Sequence, residues 1–592
     1  MTQQVSQPRR ALRQLPWLAI LTWLACLAAI AWAAYAGARL QRTVWDTTEP
    51  IRFLWDINNA YNKGQRAHQE GLLNVYDNVA AEARSRDDGV QAYDLDYPPL
   101  RLTVAYLWYD WSATRFGPGW QNTYAFHAPL LMLNRVLLAM AALSAMGLVW
   151  HFRRADRDEK HPPMLGTGCA TATMAGMLAW FSPAALLVGF AWPQWDIAVP
   201  AFFLLAVLCG CRNLWLLAGV LLGIGGMYKG QVLLMLPMMV VWPLVAGKPG
   251  GLTRLLAGLG LSIACIAAPF MLHIGNVAIP DSAAILIGMA VLCWCVALGW
   301  KLTMGRLNQW FTLAPVAMIV LLAFAAWYAL GISAGALGLA LGAAIILLTA
   351  KVPTKYTLAV LAGTVASVIF ICAWSGPASW NWLRVGLLYG TEHFQVMYMG
   401  NPSNLPAILA QRFRVNSPRD IALIWGTLEI TWGWLLRGIY LVGMVLCAIA
   451  MGIHHRRGSG RFLLAMLAPW LLFVTFCAQV HERYILYPAL ISVPLLALGF
   501  GWWMVAIVLQ LIALLPVLQG MLGGPGTGDF LAESMGQGFG YRLQGWVAAT
   551  HPGMGWAMVV LALTVFYGAM NLRREHPKKA KPNEDDAEDW NP

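Results

Sequence analysis

Apolar runs of about 17–25 residues recur along this chain, separated by short polar breaks, and that spacing predicts membrane-crossing helices. The first run, Leu15–Gly37, contains no charged residue. Further candidate spans lie at about 127–151, 164–190, 194–211, 213–228, 231–247, 252–272, 282–300, 309–330, 332–350, 356–375, 430–453, 462–479, 484–500, 501–519 and 553–571. Strands of a transmembrane barrel would be about ten residues long with alternating polarity, a pattern not seen here. The expectation is therefore an all-α polytopic bundle of about 12–16 transmembrane helices with a large first extracytoplasmic loop. Three intervals are long enough to form structure of their own: 38–125, 376–429 and 520–552. Within the first, Tyr97–Phe116 is moderately apolar and rich in Trp and Tyr, which suits a helix lying at the membrane interface.

Charge supplies the orientation. Arg9, Arg10 and Arg13 precede the first span, and Arg153–Lys160, Lys248/Arg254, Lys301/Arg306, Lys351/Lys355, His454–Arg461 and Arg573–Lys581 fall in alternate breaks. The positive-inside rule makes these breaks and both termini cytoplasmic. Ala34-Tyr35-Ala36 and Ala36-Gly37-Ala38 fit a small-residue cleavage pattern, but the run before them is longer than a typical signal core, so it reads as an uncleaved helix. The division that follows is a cytoplasmic 1–14, a first helix 15–37, an external loop 38–125, a bundle 126–375, a second external loop 376–429, C-terminal helices 430–571 interrupted at 520–552, and a polar tail 572–592 expected to be disordered.

Composition agrees: the 592 residues are 59% hydrophobic and 11% charged, where a soluble domain carries about 25% charged residues. The net charge of +12 is spread over short loops and does not imply nucleic-acid binding. The ten cysteines lie singly in or near apolar runs, apart from Cys209 and Cys211, and read as small core residues.

The acidic residues are distributed unevenly. Eleven lie in 38–125, whereas only Asp196 and Asp281 occur between Lys160 and Thr391. Four external points follow: Asp56 within Leu54-Trp55-Asp56-Ile57; Asp94 and Asp96 before Tyr97-Pro98-Pro99; Trp192-Pro193-Gln194-Trp195-Asp196 together with Lys229 and Gln231; and Val480-His481-Glu482-Arg483-Tyr484. Consecutive ionisable residues at a membrane boundary are costly unless they are paired or functional. His481 and Arg483 are suited to hold a phosphate, Arg483 in bidentate fashion, and Lys229 lies at the junction of two short spans where a phosphate could be met. Each has an ordinary alternative: Arg483 as a surface ion pair, Asp56 and Asp96 as helix caps, Asp196 as a surface carboxylate. Asp94 and Asp96 spell DxD, a pattern that can hold a divalent cation, but no further ligands accompany them and no metal or other cofactor is assigned.

These residues resemble the GT-C superfamily of integral-membrane glycosyltransferases. Leu95-Asp96-Tyr97-Pro98-Pro99-Leu100 is similar to the LDYPPL stretch of the eukaryotic glucosyltransferases of the asparagine-linked-glycosylation pathway. Val480–Tyr484 resembles their VHEK segment and, more closely, the HERY segment of bacterial mannosyltransferase-like members. The resemblance covers the chain in order from the first loop to about residue 490, with a longer, Arg/Asp-rich stretch at 84–88. It implies an inverting enzyme that moves a sugar from a polyprenyl-phosphate carrier to an acceptor hydroxyl on a glycan, lipid or protein outside a bacterial inner membrane. In such enzymes a first-loop Asp is the base, a role the resemblance gives to Asp56, with Asp96 as a second catalytic candidate. His481, Arg483 and Lys229 would hold the donor phosphate, and Asp94, Tyr97, Gln194, Asp196, Gln231 and Glu482 would line the substrate. The rival class, a transporter or flippase of lipid-linked sugars, predicts charged residues in mid-span and inverted repeats, neither of which is evident.

Overall fold

The structure is a computed structural model, which describes residues 16–49, 54–85, 95–117, 120–155, 165–272, 380–388, 396–400, 402–425, 427–522 and 537–572. The four spans expected within 282–375, Asp94, the stretch 86–88, both extreme termini and most of the loop 520–552 lie outside these residues. The described chain is an all-α polytopic membrane protein. Six of its helices are long and apolar enough to cross a membrane: residues 20–47, 124–153, 249–267, 432–457, 500–522 and 553–570. A pair at 168–180 and 183–191, bent by 40°, adds a broken span, and four shorter apolar helices fill in between.

The first helix, α1 (Pro16–Thr47), continues ten residues past the expected end of its apolar run. The added turns carry Arg42 and Asp46, an i,i+4 ion pair at 2.8 Å that suits a helix emerging into water. Three helices then build the first polar interval: α2 (Trp55–Glu70), α3 (Val75–Ser85) and α4 (Pro99–Ala113). The last is the helix anticipated at 97–116, opened by Pro98 and Pro99, whose fixed φ suits a first helical turn. Helices α2 and α4 approach closely because Gly64 has no side chain; a Cβ there would strike the Ala105 carbonyl oxygen.

The bundle proper begins with α5 (Tyr124–Ala155) and α6 (Leu165–Trp180). A break at Phe181–Ser182 follows, then the short α7 (Pro183–Leu186) and a π-helical turn, Leu187–Ala191. Next come α8 (Ala198–Cys211), α9 (Trp215–Tyr228), a 3-10 turn Gly230–Met235, α10 (Leu236–Val245) and α11 (Pro249–Leu272). Helices α9 and α11 lie backbone to backbone: side chains at Gly219 and Gly258 would each collide with a carbonyl of the other helix. Small residues serve this purpose in membranes, where lipid removes the hydrophobic drive and dispersion contacts must hold helices together.

After α12 (Leu405–Phe413), the second polar interval contains an antiparallel hairpin, β1 (Ile421–Trp425) and β2 (Leu428–Thr431), the only sheet among the described residues. Its β-branched and aromatic content (Ile421, Ile424, Trp425, Ile430, Thr431) favours strand. Helices α13 (Trp432–Arg457), α14 (Phe462–Phe476), α15 (Leu486–Ser492), α16 (Phe500–Leu522) and α17 (Gln537–Met570) complete the fold. Every residue of α14 is buried, as its apolar residues on all faces require, and it forms the centre of the bundle. The last helix starts at Gln537, so part of the expected loop 520–552 is helical.

Helices α8, α9 and α14 each have one end at a polar cluster described below and the other at a basic end. At that basic end Arg153 donates to the Leu496 carbonyl at 3.4 Å, and Arg461 to that of Asn571 at 2.7 Å.

Candidate active site

The helix α2 starts at Trp55, which puts Asp56 in its first turn, where the helix dipole favours an anion. Asp56 is not the cap: Leu54 occupies that position and makes no side-chain cap bond. Its carboxylate instead meets the chain segment that follows the π turn. Trp192 N–H bonds back to the Leu187 carbonyl at 2.7 Å and Gln194 N–H to that of Val188 at 3.0 Å, which turns both side chains toward the first loop. Trp192 Nε1 donates to Asp56 Oδ2 at 3.0 Å, Gln194 Nε2 at 2.5 Å and Arg483 Nη1 at 3.2 Å. Three donors thus converge on one oxygen. Among the described residues none bonds Oδ1, and the side chain retains 31% of its exposure.

Arg483 reaches Asp56 from a distant part of the chain. Helix α14 ends at Phe476, and Gln479 takes a left-handed conformation (φ 63°) while its N–H bonds the Met397 carbonyl at 3.0 Å. Met399 and His481 then form a β-bridge, and the turn Glu482–Ile485 presents Arg483 inward. Besides Asp56, the guanidinium contacts Asp196 Oδ2 through Nε at 3.1 Å, a charge contact too bent to count as a hydrogen bond. Nη1 also donates to His481 Nε2 at 2.9 Å, while His481 Nδ1 lies 2.6 Å from Glu482 Oε2. Glu482 is buried and backs onto Gly400, whose positive φ (64°) and missing Cβ are both required there.

Behind this first layer lies a buried ion-pair core. Asp196 is fully buried; its Oδ1 accepts from Lys229 Nζ at 2.6 Å and from the Tyr487 hydroxyl at 2.5 Å. Lys229 follows the end of α9, and Gln231 Nε2 donates to the Tyr484 hydroxyl at 3.1 Å. Tyr484 and Tyr487 stack with ring centroids 5.2 Å apart.

A second layer surrounds Tyr97. Lys63, two turns beyond Asp56 on α2, pairs with Asp96 and sits 4.3 Å from the Tyr97 ring centroid. Arg101 lies 3.6 Å from the same ring and 5.3 Å from that of Trp195. Crowding by protein opposes ionisation of Asp96, but the positive charges of Lys63 and Arg101 outweigh this and hold its carboxyl below the usual range. Asp96 does not cap α4, since Pro98 holds that position without a side-chain bond. The Tyr76 hydroxyl donates to the Tyr97 carbonyl at 2.5 Å and fixes the Pro-Pro corner.

The fold therefore gathers Asp56, Gln194, Asp196, Lys229, Gln231, His481, Glu482 and Arg483 from four chain segments, with Asp96 and Tyr97, from a fifth, beside them. Sequence reasoning gave no role to Trp192, Tyr487, Lys63, Arg101 or Trp195, which the structure places against these candidates. Tyr487 stands one helical turn after Arg483, and Arg101 follows the Tyr-Pro-Pro-Leu stretch directly, so spacing offered a clue to both. No group of three or more His, Cys, Asp or Glu side chains able to hold a metal ion occurs among the described residues. No protein-family model matches this chain, and no curated protein matches it.

Proposed function

We propose that this protein is an inverting glycosyltransferase of GT-C type that takes its sugar from a polyprenyl-phosphate carrier on the extracytoplasmic side of a bacterial inner membrane. The observation that carries the reading is the one-sided anchoring of Asp56: three donors hold Oδ2, and Oδ1, unbonded among the described residues, can accept a proton. An acceptor hydroxyl placed against Oδ1 loses its proton there as its oxygen attacks the anomeric carbon. The bond from that carbon to the phosphate oxygen breaks with inversion, and the electron pair leaves on the polyprenyl phosphate. That leaving group needs positive charge more than a proton. Arg483 contacts the base, His481 contacts Arg483, and Asp196 holds Lys229 and Arg483 in place. Gln194, Gln231, Tyr97, Asp96 and Glu482 would line the space for sugar and acceptor. Burial of the ion pairs at one end of the bundle, with basic loops at the other, agrees with an external site under the positive-inside rule.

The test is Asp56→Asn. The amide oxygen can still accept from Trp192, Gln194 and Arg483, while NH₂ replaces the basic oxygen, so the fold should persist. Transfer from a polyprenyl-phosphate sugar should drop about 10²–10⁴-fold, the usual contribution of a positioned base. Near-normal turnover would remove Asp56 from this role.

A further inference from the structure

Lys229 and Arg483, considered with His481 for the donor phosphate above, are already committed. Lys229 is bonded to Asp196, and Arg483 divides its contacts among Asp56, Asp196 and His481. The neighbouring wall of the same site differs. Among the described residues Arg101 makes no hydrogen bond: its Nε is buried and unpartnered, and its guanidinium lies against the faces of Tyr97 and Trp195. The hydroxyl of Tyr228, a residue only 4% exposed, is likewise buried and unpartnered among the described residues. The Tyr228 ring packs edge-on against Trp195 at 5.4 Å, so both groups flank one indole, and Lys229 is the next residue in the chain. Asp96, a carboxylate on which the charge of Arg101 acts, has its bond to Lys63.

Unpaired buried donors are costly, each by an amount comparable to a lost hydrogen bond, and a native site retains them when a ligand supplies the acceptor. Here both can donate, one is permanently cationic, and the cluster around Tyr97 holds two cations against one carboxylate. That combination fits a phosphate group with more than one free oxygen, and a guanidinium already oriented by two aromatic faces loses little freedom on binding it.

We propose that Arg101 and the Tyr228 hydroxyl, both beside Trp195, form the seat for the donor's alkyl phosphate, with Lys229 contributing its field. This rests on the glycosyltransferase reading and assigns its phosphate contact to residues beyond Arg483, His481 and Lys229.

The experiment compares binding of polyprenyl monophosphate, the uncharged polyprenol and phosphatidylglycerol to the full-length protein in nanodiscs, for the wild type, Arg101→Gln, Arg101→Lys and Tyr228→Phe. Arg101→Gln should weaken polyprenyl monophosphate binding by about tenfold to a hundredfold and leave polyprenol binding unchanged, with partial retention in Arg101→Lys. Tyr228→Phe should weaken phosphate binding by about threefold to tenfold while the ligand-free protein melts at the same temperature or higher, because the hydroxyl removed has no partner to lose. Wild-type phosphate affinity in both Arg101→Gln and Tyr228→Phe overturns the assignment, whatever becomes of the enzymatic reading. A wild type that prefers phosphatidylglycerol, with that preference lost in Arg101→Gln, keeps the phosphate seat and sinks the sugar-donor reading instead.

Discussion

Asp196 illustrates how much one buried carboxylate can organise. It sits with no solvent exposure between Lys229 and Arg483, with a third contact from Tyr487. Removing one member of such a group strands the rest, at a cost of about 3–5 kcal/mol. Asp196→Asn should therefore lower the thermal midpoint of the detergent-solubilised protein markedly. Adding Lys229→Met should restore part of the loss, since the double change also removes the stranded ammonium. Equal midpoints for Asp196→Asn and the wild type would show that the ion pairs are not what holds this end of the bundle. Residue types in the sequence made these groups conspicuous. Their pairing was not legible, because Asp196, Lys229 and Arg483 stand 33 and 254 positions apart and no local pattern links them.

Among elements, α2 and α4 set the mouth of the site. Asp56 and Lys63 lie on α2, Arg101 on α4, and Gly64 lets the two helices touch. Gly64→Val should wedge them apart, costing about 1–3 kcal/mol as overpacking does, and should reduce transfer even though it contacts no substrate. Thermal unfolding together with a transfer assay would check both parts, and unchanged activity would detach the α2–α4 spacing from function. Periodicity located most of these elements well: the helix expected at 97–116 occurs as Pro99–Ala113, and that at 430–453 as Trp432–Arg457. It failed where polar residues continue a helix, as in α1 beyond Gly37 and α17 before residue 553, because hydropathy records the lipid boundary and not the end of hydrogen bonding. It also missed the hairpin at 421–431, too short for two-residue alternation to stand out beside apolar helices.

At the scale of the whole molecule, the acidic first interval and the 481–483 turn meet at one end of the bundle while the Arg- and His-bearing turns occupy the other. Exposed Asn78, on α3, and exposed Arg456, near the end of α13, mark these two ends. A membrane-impermeant maleimide should label Asn78→Cys in intact cells and Arg456→Cys only after permeabilisation. The native cysteines among the described residues, buried or partly so, should give little background. Labelling of both variants from the same side would invert or abolish the external placement of the site.

The sequence by itself determined that the chain is a helical membrane protein, where most of its helices lie and which end of the bundle is basic. These are consequences of local hydropathy and charge, written residue by residue. Only the tertiary structure decided that three donors hold a single oxygen of Asp56, that Lys229 and Arg483 share Asp196, and that Arg101 and Tyr228 keep donors unpaired among the described residues. Those outcomes depend on helix ends meeting across long sequence separations, and on Gly64, Gly400 and the π turn at 187–191 setting the angles at which they meet.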